Sequence, residues 1–198
     1  MEVNDFEYES GQTPIDAAET EALIPPLATQ AELNEWEEQN NFDGRHWALS
    51  KRVLNQAEPL SEESLFELHR RMFGDTWKWA GEIRTRDKNI GVPFYKIRVC
   101  LRELLDDARY WRENRTYCFD EFAMRFHHRL VQIHLFPNGN GRHARLAVDV
   151  IARKSGQPDF TWGSVNLVKQ GEARAAYLNA IHAADQGDYQ PLIKFSRL

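Results

Sequence analysis

Two stretches with helical apolar spacing, 121–133 and 142–154, are separated by a run that suits a turn and not a helix interior: His134-Leu135-Phe136-Pro137-Asn138-Gly139-Asn140-Gly141. In the first stretch Phe122, Phe126, Leu130 and Ile133 fall at i, i+4, i+8 and i+11, one apolar stripe. The second stops at Ser155-Gly156, where Gly156 suits the position after a helix end. A glycine-rich turn entering a helix points several backbone N–H groups at one spot, where the helix dipole adds partial positive charge. Arg142 and Arg145, three residues apart, share a helix face and can both reach phosphate oxygens. His134 supplies a general base in front of that cradle. Together these residues describe a nucleotide-processing site.

The same residues resemble the signature of the Fic family, His-x-Phe-x-(Asp/Glu)-Gly-Asn-Gly-Arg-x-x-Arg. His134, Phe136, Gly139, Asn140, Gly141, Arg142 and Arg145 match it, and Asn138 stands at the acidic position. Trp79-Ala80-Gly81-Glu82-Ile83-Arg84 looks like the start of the family's flap, and Ala183-Ala184-Asp185-Gln186-Gly187-Asp188-Tyr189 like the end of its domain. Further stretches, Gly11-Gln12-Thr13-Pro14-Ile15-Asp16, Leu23-Ile24-Pro25 and Ala31-Glu32-Leu33-Asn34-Glu35, look like the subgroup called mobile mystery protein B.

The remaining chain reads as mainly α, a Fic-like helical bundle with one small β-hairpin flap over 83–94. Residues 1–28 read as an acidic, turn-rich arm. Thr29 and Glu32 have capping-box spacing, and a helix follows over 30–39 with Leu33 and Trp36 on one face. Further helices are expected over 46–55, 61–73 (capped by Ser61, with Leu65, Leu68 and Met72 inward), 97–113, 121–133 (capped by Asp120), 142–154 and 172–185. In 97–113 the apolar residues are Val99, Leu101, Leu104, Leu105 and Ala108. A short segment over 191–195 closes the chain. We divide it into an N-terminal arm with a candidate inhibitory helix, 1–45, and a Fic domain, 46–198.

Composition narrows the classes. With 198 residues, 42% hydrophobic residues, six Trp and eleven Phe, one domain with a full core plus an extension is expected. The net charge of −5 argues against a nucleic-acid partner. Cys100 and Cys118 show no Cys-x-x-Cys pairing and read as reduced core thiols. The acidic N-terminus lacks an apolar signal region and no run approaches 18 apolar residues, so a cytoplasmic protein without a membrane contact is expected. His127 precedes His134 by seven residues, but the i, i+4 spacing of helical metal ligands is missing, so His127, His128 and His143 read as structural.

The resemblance implies transfer of AMP from ATP to a Tyr, Thr or Ser hydroxyl of a target protein. His134 would be the base; the N–H groups around Asn138–Arg142, with Gly139, Asn140 and Gly141, would hold phosphates. Arg145 would take the distal phosphates and Arg142 the leaving group, while Phe136 buries and locks the loop. The family's acidic residue binds Mg²⁺; Asn138 retains a carbonyl but no charge, which weakens that site. Ile90 and Gly91 fall in the flap that aligns the target. Many relatives carry an inhibitory helix whose Glu faces the second arginine, and Glu37 or Glu38 would play that part against Arg145. The second reading is a weakly active or inactive nucleotide-binding regulatory or toxin-related module, held off by its arm or by an antitoxin-like protein. Transfer of another phosphate-containing group stays open within the same fold.

Overall fold

The apolar stripe that precedes the glycine turn forms the centre of the molecule: Ala123, Met124 and Phe126 are fully buried and Leu130 nearly so. The computed structural model describes residues 21–27, 29–164 and 171–198. The described chain is helical throughout its core: α1 (Gln30–Ala48), α2 (Lys51–Gln56), α3 (Glu62–Phe73), α4 (Ile97–Asn114), α5 (Phe119–Ile133), α6 (Asn140–Lys154), α7 (Glu172–Asp185) and α8 (Gln190–Ser196). Single 3₁₀ turns lie at Phe94–Lys96 and Trp162–Ser164. The Gly11–Asp16 stretch and most of the expected arm lie outside the described residues. No described helix is long and apolar enough to cross a membrane.

Helix α5 is flanked by α4 and α6, and both give it an apolar face at helical spacing. From α4 come Ile97, Leu101, Leu104, Leu105 and Ala108, and from α6 come Ala144, Val148 and Ala152. Val99, expected inward, is 57% exposed, because only the 97–101–104–108 stripe faces α5. Asp120 does not cap α5. The helix begins two residues earlier, with Cys118 at the cap, and the Asp120 carboxylate takes the Arg197 guanidinium instead. Neither cysteine is a core thiol: Cys100 is half-buried and Cys118 exposed.

The capping box at Thr29 is present, with Glu32 N–H donating to Thr29 Oγ1 at 3.2 Å and Thr29 N–H to Glu32 Oε2 at 2.9 Å. Helix α1 then runs to Ala48, well past the expected end at 39. Ser50 caps the separate short α2. The inward face of α1 is Leu33, Glu37, Asn40, Gly44 and Ala48, whereas Trp36 is exposed at its edge and donates to the Asp75 carbonyl at 3.2 Å. Gly44 is where α1 and α3 come closest. A Cβ there would stand 2.7 Å from the Arg71 carbonyl oxygen and 2.9 Å from Met72 Cα.

The expected hairpin over 83–94 is a loop of bends with no strand pairing among the described residues. The physical cause is a side chain. Arg84 donates to the carbonyls of Arg86 (2.8 Å) and Val92, acceptors that a ladder would have paired with N–H groups. Asp87 Oδ1 accepts the Phe94 N–H at 2.8 Å and closes the loop. The one β-bridge among the described residues joins Leu23 to Trp77 and lays the end of the arm along the segment after α3.

The α1–α3 crossing gives a test with an unusual sign. At a solvated helix position Gly→Ala stabilises by about 1 kcal/mol. Gly44→Ala should instead destabilise by about 1–3 kcal/mol, since the methyl meets backbone and cannot be relieved by a rotamer. A thermal melt should show the midpoint falling by several degrees; a rise would mean that the helices do not touch there.

Candidate active site

The site lies where α5 stops and α6 starts. His134 ends α5 in the left-handed conformation (φ 56°, ψ 67°), a conformation few side chains adopt, and is 4% exposed. Its own N–H still reaches the Leu130 carbonyl, and its carbonyl accepts Arg84 Nε at 2.7 Å. Burial lowers the imidazole pKa to about 4, the Arg84 and Lys88 charges push the same way, and a hydrogen bond to the Val131 carbonyl opposes them. The ring is therefore neutral near pH 7, the form that can accept a proton.

The turn that follows is locked from within. Asn140 Oδ1 accepts the Phe136 N–H at 2.9 Å and Asn140 Nδ2 donates to the Phe136 carbonyl at 2.8 Å. Both polar ends of this side chain are thus spent on the loop, and Asn140 serves an anion through loop geometry and its backbone. Phe136 is fully buried, stacked on His69 with ring centroids 3.7 Å apart. Gly139 is left-handed (φ 77°) and lies on the Phe73 ring, whose atoms stand 2.4–3.0 Å from where a Cβ would be. Any other residue would lift the loop off this platform.

Helix α6 starts at Asn140, two residues earlier than expected, so its free N–H groups face the turn itself. Arg145 Nη1 and the Tyr177 hydroxyl both stand over Gly141, 3.7 Å and 3.9 Å from its Cβ position. Arg145 lies over the Tyr177 ring at 5.3 Å and hydrogen-bonds its hydroxyl. Arg142 lies over Phe73 at 4.7 Å and donates to Glu37 Oε2 at 2.7 Å. The other Glu37 oxygen accepts Trp77 Nε1 at 2.8 Å. The acidic contact to the site is therefore made by Glu37 with Arg142, and not with Arg145 as expected. Glu38 is on the exposed face of α1. In the flap, Ile90 is 44% exposed, while Gly91 (φ 100°) lies directly on His134: a Cβ would be 2.6 Å from His134 Cβ and 2.9 Å from Arg84 Nη2.

Two residues that sequence reasoning left without a role hold this arrangement together. His69, fully buried in α3, accepts the Gly81 N–H on Nδ1 (3.0 Å). Its ring is neutral, because burial holds the pKa well below the usual range, so Nε2 carries the hydrogen and donates to the Asn138 carbonyl (3.1 Å). Arg84 is the other. Both follow apolar residues at ordinary helix or loop positions, and only the carbonyls of Asn138 and His134, 69 and 50 residues away, reveal them. The other buried histidines go elsewhere: His127 Nε2 to Tyr177 (3.3 Å), His128 to Asp185 (2.8 Å) and His143 to the Leu65 carbonyl (2.9 Å).

Comparison with known proteins fits this geometry. Residues 59–152 match the Fic/DOC family. The chain is 32% identical over 144 residues to the protein adenylyltransferase fic-1 of Caenorhabditis briggsae, covering 69% of this chain and 26% of that protein. The Caenorhabditis elegans fic-1 is 32% identical over 148 residues, 72% of this chain and 28% of the relative. A solved structure of C. elegans Fic-1 (residues 134–508, E274G) superimposes with a TM-score of 0.65 at 29% identity, over 91% of this chain and 52% of that one. BepC of Bartonella tribocorum, solved with bound AMPPNP, shares the fold at a TM-score of 0.68 and 16% identity, covering 92% and 97%. The chain belongs to the Fic family. It spans about a quarter of the length of the curated relatives named above.

The family's Mg²⁺ does not fit the donors present. Asn138 is neutral, and its Oδ1 is turned onto the Gly139 N–H at 2.5 Å. The Glu37 carboxylate is held by Arg142 and Trp77. Among the described residues no group of three or more His, Cys, Asp or Glu could hold a metal. Asn138→Asp should restore a hard-cation donor. Titrating Mg²⁺ against the nucleotide complex by calorimetry should show affinity changing less than about twofold for the wild type and about tenfold, about 1.4 kcal/mol, for the variant. Equal Mg²⁺ dependence in both would mean that position 138 is not where the ion sits.

Proposed function

We propose that this chain is a protein adenylyltransferase, moving AMP from ATP to a Tyr, Thr or Ser hydroxyl of another protein. The observation that carries the reading is the juxtaposition of a neutral, buried His134 with the N-terminus of α6 and the Arg142 and Arg145 guanidiniums. Relatives named protein adenylyltransferases and a fold neighbour holding AMPPNP support it.

His134 takes the proton of the target hydroxyl as its oxygen attacks the α-phosphorus. The bond from that phosphorus to the pyrophosphate oxygen breaks, and pyrophosphate leaves with the electron pair. The N–H groups at Gly139–Arg142 stabilise the charge that grows on the transferred phosphoryl oxygens. Arg145, over Gly141, holds the distal phosphates, and Arg142 steadies the leaving group. Ile90 and Gly91 lie in the flap along which the target chain is aligned.

One observation favours a held-off form of the same protein. Both guanidiniums are engaged in this state, Arg142 by Glu37 and Arg145 by Tyr177. An incoming polyphosphate must displace Glu37, so α1 acts as an inhibitory helix through its contact with Arg142. With the neutral Asn138 this supports the second reading, a nucleotide-binding module with little turnover whose arm, or a regulatory or antitoxin protein bound to it, sets the output.

His134→Ala should lower transfer to proteins of a lysate by about 10²-fold or more while ATP affinity stays within about threefold, because the ring touches the proton and not the phosphates. Arg145→Ala should do the reverse first, losing a charge-assisted contact of about 1.5–3 kcal/mol from ATP binding. Wild-type transfer by His134→Ala removes the base from the scheme. Glu37→Gln keeps an acceptor for Trp77 but deletes the charge on Arg142, and should raise ATP affinity and transfer about tenfold, about 1.4 kcal/mol. Weaker ATP binding in that variant would make Glu37 a structural residue only.

A further inference from the structure

Arg84 carries more than the stability of a loop. Its side chain is almost fully buried, and among the described residues no carboxylate is at hydrogen-bonding distance; the Asp87 oxygen is 3.8 Å away. Three carbonyls satisfy it instead. Nε donates to His134 (2.7 Å), Nη1 to Arg86 (2.8 Å) and Nη2 to Val92. The backbone N–H of Arg84 adds a fourth tie, to the Leu135 carbonyl at 3.0 Å. A planar guanidinium can serve acceptors on separate sides at once; a lysine ammonium, a compact point donor, cannot span them. Two consecutive residues at the start of the signature turn, His134 and Leu135, are thereby fixed to both sides of the flap. Gly91 packs against His134 Cβ with no room for a methyl group, so the flap cannot slide without moving the histidine.

From this we infer that Arg84 is a positioning residue of the transfer reaction, joining the flap and the His134 backbone into one rigid unit, so that a target chain registered on the flap is registered on the base. The inference rests on His134 being the base, as proposed above. It assigns Arg84 no contact with the nucleotide. Its charge has a second effect that a scaffold role lacks. The charged groups facing the His134 ring are Arg84 and Lys88, both from the flap segment, while α5 offers the Val131 carbonyl.

Two substitutions separate these effects. Arg84→Lys keeps the charge and loses the three-way bridge; Arg84→Gln loses both. In each, the amides at positions 84 and 94, which are hydrogen-bonded to the Leu135 carbonyl and to Asp87, should exchange about tenfold or more faster while the α5 and α6 amides stay protected. Transfer kcat should fall by about 10²-fold, the scale set by a misplaced reacting group, with ATP affinity within about threefold. The His134 ring, followed by NMR, should titrate near 4 in the wild type, stay low in Arg84→Lys and move up toward the ordinary histidine range in Arg84→Gln. A wild-type kcat and flap exchange in Arg84→Lys overturns the inference, as does a loss of ATP affinity in step with the rate. If the wild type transfers nothing but exchange and titration respond as stated, the tie stands and the transferase reading fails. If the wild type transfers and neither responds, the tie itself is wrong.

Discussion

The paired hydrogen bonds between the Asn140 side chain and the Phe136 backbone set the shape of everything around them. They close a five-residue ring across the point where α5 gives way to α6, and they are fully shielded from water. Buried amide bonds of this kind are costly to leave unmade, about 1–3 kcal/mol for each orphaned partner. Neither helix can therefore shift along its axis without stranding them. His134 on one side and the first N–H groups of α6 on the other inherit a fixed separation from this ring. His69 and Phe73 then support it from below, one through the Asn138 carbonyl and the other through the bare face of Gly139.

The electrostatics of the site follow a consistent rule: each of three arginines at the turn has an assigned oxygen. Arg142 has a carboxylate, Arg145 a phenol hydroxyl, Arg84 three carbonyls. The strengths differ, and the difference orders them. Carbonyl ligands carry no charge and the nearest carboxylate oxygen, on Asp87, is 3.8 Å away, so the Arg84 charge still acts on His134. The Tyr177 hydroxyl is a neutral acceptor that an anionic phosphate outcompetes easily. The Glu37 carboxylate is the strongest of the three partners, buried and hydrogen-bonded by both Arg142 and Trp77, so on the proposed reading it is the one a polyphosphate must displace.

Much of this was legible in the residues. The stripe 122–126–130–133, the Thr29 capping box, the inward set Leu65, Leu68 and Met72, and the buried Phe136 follow from periodicity and local chemistry, and the structure has them all. What was not legible depends on partners far along the chain. Glu37 and Glu38 look alike in sequence; helical phase turns one toward Arg142, 105 residues away, and the other to solvent. The flap was read as a hairpin because its residues favour strands, yet one buried guanidinium claims the carbonyls such a hairpin needs. His69 offered no signal beyond being a histidine in a helix. The Asp120 cap failed for a similar reason, since Arg197 at the far end of the chain is the better partner for its carboxylate.

The position of α1 in the chain has a consequence for how the site comes into being. Glu37 precedes every residue it restrains, and its helix is anchored to late-arriving partners at two points, Arg142 and, through Arg45, Asp149. When α6 first packs, the carboxylate is already tethered nearby, at an effective concentration on the millimolar scale. Dilution cannot release it, because an intramolecular competitor has the same local abundance in a crowded solution as in a thin one. On the proposed reading, a change in ligand level, or something that pulls α1 from the loop after α3, alters the balance.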